Sequence, residues 1–255
     1  MNQEKKIKYH EQNVEKLYEA VKTGTAPFLP NEKNSKAVNN VIILTPRPVV
    51  RSAASGKVFK GLNQLVAQVE LDKMSRKDAS VITYEQAQKL GSAIKKGEKS
   101  FVLTSYNKDA PAGTRLTVYH VFPTSAVASH SANLNEKLAH IKKLSERNKT
   151  SIVIECTDSK PEKFLGAYLA ASSCNGKVKT NKQTVESFRN ELTAYLEKNI
   201  QSQNHSKVFE LGRNASNECK IFLRNEYKNQ QQLSQARAKT QQYTMKKNND
   251  FELSR

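Results

Sequence analysis

Ser55-Gly56-Lys57-Val58-Phe59-Lys60-Gly61-Leu62-Asn63 opens the stretch whose reading decides the fold. The stretch continues through Ile82-Thr83-Tyr84-Glu85-Gln86-Ala87-Gln88-Lys89-Leu90-Gly91 and closes with Lys95-Lys96-Gly97-Glu98-Lys99-Ser100-Phe101-Val102-Leu103. Glycines stand at each change of local structure, with lysines beside them. Glycine lets the backbone turn sharply or approach a ligand closely. Lysine next to it supplies a mobile cation suited to phosphate. Phe59, Tyr84 and Phe101 are interleaved with those lysines. Charge for a phosphate backbone and flat faces for bases are what an unpaired nucleic-acid strand requires. Phe59 and Phe101 read more readily as plain core residues than as stacking faces, since large apolar side chains are mostly buried.

Within the stretch, Gly61 turns the chain into a helix with Leu62, Leu65, Val66 and Val69 on its apolar face. Asn63 opens that helix and is placed to hold the turn through its amide. Thr83 with Gln86 three residues later reads as a capping box for a short helix that stops at Gly91. Upstream, Val14, Leu17, Tyr18 and Val21 mark one face of a helix over residues 8–23, ended by Gly24. His10 within it reads as an exposed surface residue. Residues 25–40 read as a loop with Pro27 and Pro30, and Val41 to Leu44 as a buried strand. Arg47 and Arg51 follow, either as forked phosphate donors or as solvated loop charge.

Downstream, Ser100 to Tyr106 and Arg115 to Phe122 flank Asn-Lys-Asp-Ala-Pro-Ala-Gly, a β-hairpin pattern. From Thr124 the pattern changes. Leu134, Leu138, Ile141 and Leu144 define a helix face. Ser151 to Cys156 reads as a strand, and further helices center on Phe164–Leu169, Val185–Ile200 and Val208–Leu223. Residues 229–255 are rich in Gln, Lys and Asn and read as a fraying helix or a disordered tail. The fold class expected is α+β: a small sheet with a β-hairpin and packed helices, followed by a mainly helical C-terminal region. The expected division is 8–125, 126–228 and 229–255. Whether the first two regions pack together stays open at this stage.

Composition narrows the function. The chain has 255 residues with 42 Lys plus Arg against 24 Asp plus Glu, a formal net charge of +18 and a pI near 9.7. Such an excess favors a polyanionic partner through counterion release. Mean hydropathy is -0.70, and no apolar run approaches the roughly 20 residues of a membrane span. The N-terminus lacks the apolar core of a signal peptide. Cys156, Cys174 and Cys219 are far apart and make neither a metal spacing nor a disulfide framework. Reduced thiols in a cytoplasm are expected. No phosphate loop, nucleophile elbow or HExxH occurs, and His120, His130, His140 and His205 are scattered. The expectation is therefore no catalytic site, no metal and no cofactor.

Taken together and in order, the motifs add a resemblance. Ser55-Gly56-Lys57 with Phe59-Lys60-Gly61-Leu62-Asn63, then Thr83-Tyr84-Glu85-Gln86-Ala87 with Leu90-Gly91, then Lys96-Gly97-Glu98-Lys99 resemble the N-terminal domain of ArdC-type antirestriction proteins, a domain that also begins TraC-type plasmid primases. Gly24-Thr25-Ala26-Pro27-Phe28 resembles the family's opening motif and Tyr119-His120-Val121-Phe122 its closing strand. The resemblance covers about residues 8–125. The family's usual tryptophans, after the opening proline and before the Thr-Tyr motif, are replaced by Phe28 and Val81; those tryptophans either stack on bases or belong to the core.

The resemblance implies single-stranded DNA binding, tied to plasmid transfer and protection of incoming DNA. Binding residues expected on this reading are the cations Arg51, Lys57, Lys60, Lys95, Lys96, Lys99 and Arg115 and the stacking candidates Phe59, Tyr84 and Tyr119. RNA and protein remain open as further partners, and no membrane partner is expected. The alternative is a protein-interaction or effector protein on the same fold with residual nucleic-acid binding.

Overall fold

The computed structural model describes residues 3–106, 111, 116–147 and 152–252. In chain order the elements are α1 (Gln3–Lys22), β1 (Ser35–Val38), β2 (Val41–Leu44), β3 (Arg51–Ser52), α2 (Leu62–Lys73), β4 (Ser80–Thr83), α3 (Tyr84–Lys89), β5 (Ala93–Ile94), β6 (Phe101–Tyr106), β7 (Leu116–Pro123), a 3₁₀ turn (Thr124–Ala126), β8 (Val127–Ser129), α4 (Ala132–Arg147), β9 (Val153–Glu155), α5 (Pro161–Ser173), β10 (Lys177–Asn181), α6 (Lys182–Gln201) and α7 (His205–Glu252). The α+β class expected from the sequence is what the chain adopts.

Two four-stranded sheets organize these elements. The first has the order β1-β2-β10-β9 and the second β3-β4-β7-β6; β5 and β8 form a separate pair. The first sheet takes its hairpin from the N-terminal region and its other two strands from the C-terminal region. The two regions therefore share a sheet, which settles what the sequence left open. Both sheets contain a parallel pair joined through a helix: β3 to β4 through α2, and β9 to β10 through α5. Parallel neighbors need such a crossover.

One main core unites the chain. Val14 and Leu17 of α1, Phe28, Leu44, Leu65 of α2, Phe101 of β6, Ile154, Phe164 and Tyr168 of α5, Phe188 of α6 and Leu211 of α7 all belong to it. Phe164 stacks on Phe188 with centroids 4.1 Å apart, and Phe28 meets Tyr168 and Phe188 edge-on at 6.0 and 6.3 Å. Phe28 and Val81 are both fully buried. Both side chains therefore belong to core packing and offer no exposed face for stacking. A small second cluster of Ala53, Ile82, Ala87, Val127 and Leu134 lies under α3 and α4.

Several local expectations change. His10 is buried, with its Nδ1 3.2 Å from the Thr104 hydroxyl and its ring stacked on Phe209 at 4.0 Å. It joins α1 to β6 and α7, so the reading as a surface residue was wrong. Residues 25–40 contain strand β1, and the tail continues α7 as helix to Glu252. No helix among the described residues is long and apolar enough to cross a membrane.

Candidate nucleic-acid interface

The first motif folds as a tight excursion from the edge of the second sheet. Ser52 N–H donates to the Lys57 carbonyl at 2.9 Å and Gly56 N–H to the Ser52 carbonyl at 2.8 Å. Gly56 has φ +69° and open space around it. Arg51 turns back on this loop, its Nη1 donating to the Gly56 carbonyl at 3.0 Å, while its Nε is buried without a hydrogen bond. Partial burial draws the Arg51 pKa down. Arg51 therefore shapes the loop that presents Lys57. Lys57 and Lys60 are exposed. Phe59 is half-buried, its ring against the main core and its N–H bonded to the Val50 carbonyl.

Gly61 serves packing. It has φ +56°, and a Cβ there would stand 3.0 Å from the Gly212 carbonyl group of α7. Its N–H donates to the Ser216 hydroxyl at 2.9 Å. The long C-terminal helix thus anchors the lysine loop, a link no local pattern announces. Asn63, expected to hold the turn, instead accepts the Thr104 N–H at 3.1 Å and fixes α2 to β6.

The second motif forms the capping box read from the sequence: Gln86 N–H donates to the Thr83 hydroxyl at 3.2 Å, and Thr83 N–H to Gln86 Oε1 at 3.1 Å. The cap leaves Tyr84 as the first helical residue, 53% exposed.

The third motif is a loop braced from below. Lys95 N–H bonds the Ala126 carbonyl and its Nζ the Ser125 carbonyl, both at 2.9 Å. Glu98 pairs with Arg76 at 2.8 Å. Asp78 accepts the Ser125 N–H and hydroxyl at 2.6 and 2.8 Å. Gly97 has φ +86° and open space around it, and Lys95, Lys96 and Lys99 are exposed.

Strand register fixes where these groups stand. Thr83 lies opposite Val121, which lies opposite Phe101, while Val81 lies opposite Pro123. Tyr84 therefore leaves at the C-terminal end of β4. Tyr119, two residues before Val121 and 41% exposed, lies beyond that same end. β3 runs parallel to β4, with Arg51 beside Ser80 and Ser52 beside Val81. The Ser55-Gly56 tip thus points toward the Tyr84 end. The loop carrying Lys95, Lys96 and Lys99 sits at the opposite end, against the turn at Ser125. The tyrosines thus stand beyond the C-terminal end of β4 and the third-motif lysines beyond its N-terminal end, with Lys57 and Lys60 along the outer edge of the sheet. Arg115, and the hairpin loop apart from Pro111, lie outside the described residues.

Arg47 and Lys16 are engaged in structure. Arg47 pairs with Asp72 and donates to the Arg76 carbonyl, and its own carbonyl accepts from Gln68 and Ser172. It closes the end of α2. An open cleft of about 1460 Å³ between α1 and the end of α2 carries acids and bases together, with Lys16 3.3 Å from Glu70.

Residues 7–120 match the family described as the N-terminal domain of anti-restriction factor ArdC. The DNA primase TraC of Escherichia coli is 35% identical over 102 residues, 38% of this chain and 6% of that protein. The chain thus spans only a small part of the curated relative it matches. Among solved structures, antirestriction protein ArdC from plasmid R388 shares the fold in its metal-free form, with TM-score 0.52 and 9% identity over 86% of this chain and 98% of that one. Its Mn(II)-bound form aligns with TM-score 0.54 and 10% identity over 85% and 97%. Among the described residues of the present chain, no three His, Cys, Asp or Glu side chains come together to hold an ion. Residues 7–120 are an ArdC-type N-terminal domain.

Proposed function

We propose that the protein binds single-stranded DNA without strong sequence preference and acts in antirestriction, protecting transferred plasmid DNA. The observation that carries this reading is the exposure of Lys57, Lys60, Lys95, Lys96, Lys99, Tyr84 and Tyr119 around one short sheet. Lysines neutralize phosphates, and tyrosine faces accept any base, so stacking and charge read little base identity. The +18 net charge adds attraction at longer range. Arg51 and Phe59 support the loop more than they meet the strand. A coated strand is shielded from nucleases until it becomes duplex. The chain needs no catalytic step for this role.

Fluorescence anisotropy with a labeled single strand, competed by duplex DNA and by RNA across a salt series, tests it. Salt-dependent binding that prefers the DNA single strand is expected. Equal, weak binding to all three polymers would overturn it.

A further inference from the structure

Among the described residues, nothing covers the face of the first sheet turned away from the core. Register places its side chains in rows. Val38 stands opposite Val41, which is beside Asn181. Lys36 stands opposite Ile43, then Lys179, then Glu155 across all four strands. Lys177 stands beside Val153. Ile42, Leu44, Val178 and Ile154, on the other face, fill the core. The open face therefore alternates cations with aliphatic side chains. Val38 is 70% exposed, and Val41 and Val153 are exposed as well. Its one carboxylate, Glu155, is held by Lys179 at 2.5 Å. No aromatic side chain stands in any of these rows.

β1 is the outer strand. A two-residue turn, Asn39-Asn40, joins it to β2, with Asn39 at φ +55°. The pair flanking such a turn exchanges hydrogen bonds, and pairs alternate from there. The Thr45 N–H bond to the Asn34 carbonyl fits this alternation. The N–H and C=O of Ala37 consequently point outward, away from β2. An edge of this kind takes up an extended chain by strand addition.

We infer that this hairpin docks an acidic extended segment of another protein. The strand lies antiparallel beside β1, bonded to Ala37, with an aliphatic residue next to Val38 and, two positions later, a carboxylate next to Lys36. The charge of the face selects this occupant. A second copy paired antiparallel about Ala37 would set Lys36 opposite Val38 at both positions and leave both cations without a carboxylate partner. A nucleic-acid strand would find no ring to stack on. The site is separate from the motif loops of the second sheet, and it does not depend on DNA binding there.

The test is an NMR titration of the full chain, labeled with nitrogen-15, with the heptapeptide Thr-Thr-Val-Thr-Glu-Thr-Thr. The expected result is saturable shifts at Lys36, Ala37 and Val38, weakened about fivefold by Lys36→Glu or Val38→Glu, a loss of the size that unfavorable cross-strand pairs produce. The same peptide with lysine replacing its glutamate should give none. Both variants alter exposed side chains, so a retained spectrum elsewhere shows that they fold. No shift at millimolar peptide, equal shifts with the lysine peptide, shifts at these residues caused by oligo-dT, or shifts that track protein concentration alone would each overturn the assignment.

Discussion

Gly61 and Gly212 meet backbone to backbone: a Cβ added at Gly212 would lie 2.4 Å from the Leu62 nitrogen. The contact lets α7 lie directly on the start of α2, where the lysine loop ends. Ser216, one helical turn on, receives the Gly61 N–H. Replacing Gly212 by alanine must separate two backbones, because no flexible side chain is there to yield. Gly212→Ala is expected to lower stability by about 1–3 kcal/mol, as overpacking does. Urea unfolding followed by circular dichroism reads this, and an unchanged midpoint would show that the helices part freely.

Phe28 gives a contrasting case. It is sealed in the core against Tyr168 and Phe188. Truncating Phe28 to alanine should cost about 3–5 kcal/mol of stability. Single-strand affinity, measured on the folded fraction, should remain. A large loss of affinity without loss of stability would instead place this residue at the DNA.

Elements with strong local patterns were legible from sequence. The 3.6-residue spacing of Val14, Leu17 and Val21 marked α1. The Thr83 and Gln86 side chains marked the start of α3, and alternation marked β6 and β7. β1 escaped because Lys36, Ala37 and Val38 are all exposed and leave no inward period. β10 escaped because one of its inward residues is Thr180, a polar side chain in a buried place. At the candidate site, Lys57, Lys60 and Tyr84 could be named from motif spacing. The role of Gly61 could not, because its partner lies far along the chain on α7. His10 misled for the same reason: its partners, Thr104 and Phe209, are distant in sequence.

The cysteines predict an alkaline limit to stability. Burial pushes the Cys156 thiol up to about 11, against a weaker lowering from its bond to the Asp158 carbonyl. Burial likewise raises Cys219 to about 11, opposed by the Ser173 hydroxyl. An unfolded thiol titrates near about 8.5. Between that value and about 11 the folded chain binds more protons than the unfolded one. Stability therefore falls as pH rises through this window and is unaffected by these groups below it. Melting temperatures taken from pH 7 to 11 should drop at the alkaline end, and replacing both thiols with serine should blunt that pH dependence. Iodoacetamide at neutral pH should label both sites slowly, since the thiolate is the nucleophile.

The two lysine groups should be separable by the length of the bound strand. β4 has four residues, about 13 Å at a rise of about 3.3 Å per residue, and the third-motif loop and Tyr84 stand at its two ends. A long oligonucleotide can engage both ends and the outer edge, whereas a very short one reaches only part of the surface. For a long strand, Lys95, Lys96 and Lys99 changed together to alanine should reduce the salt slope by about 2, and Lys57 with Lys60 by about 1.4, at about 0.7 per phosphate contact. Tyr84→Ala should weaken binding by about 1–3 kcal/mol while leaving the slope intact, because stacking releases no counterion. With an oligonucleotide too short to span the sheet, removing one lysine group should cost less, since binding shifts to the other end. If the slope of the long strand survives loss of both groups, the DNA lies elsewhere on the protein, and the ladder of lysines around β4 is only a solvated surface.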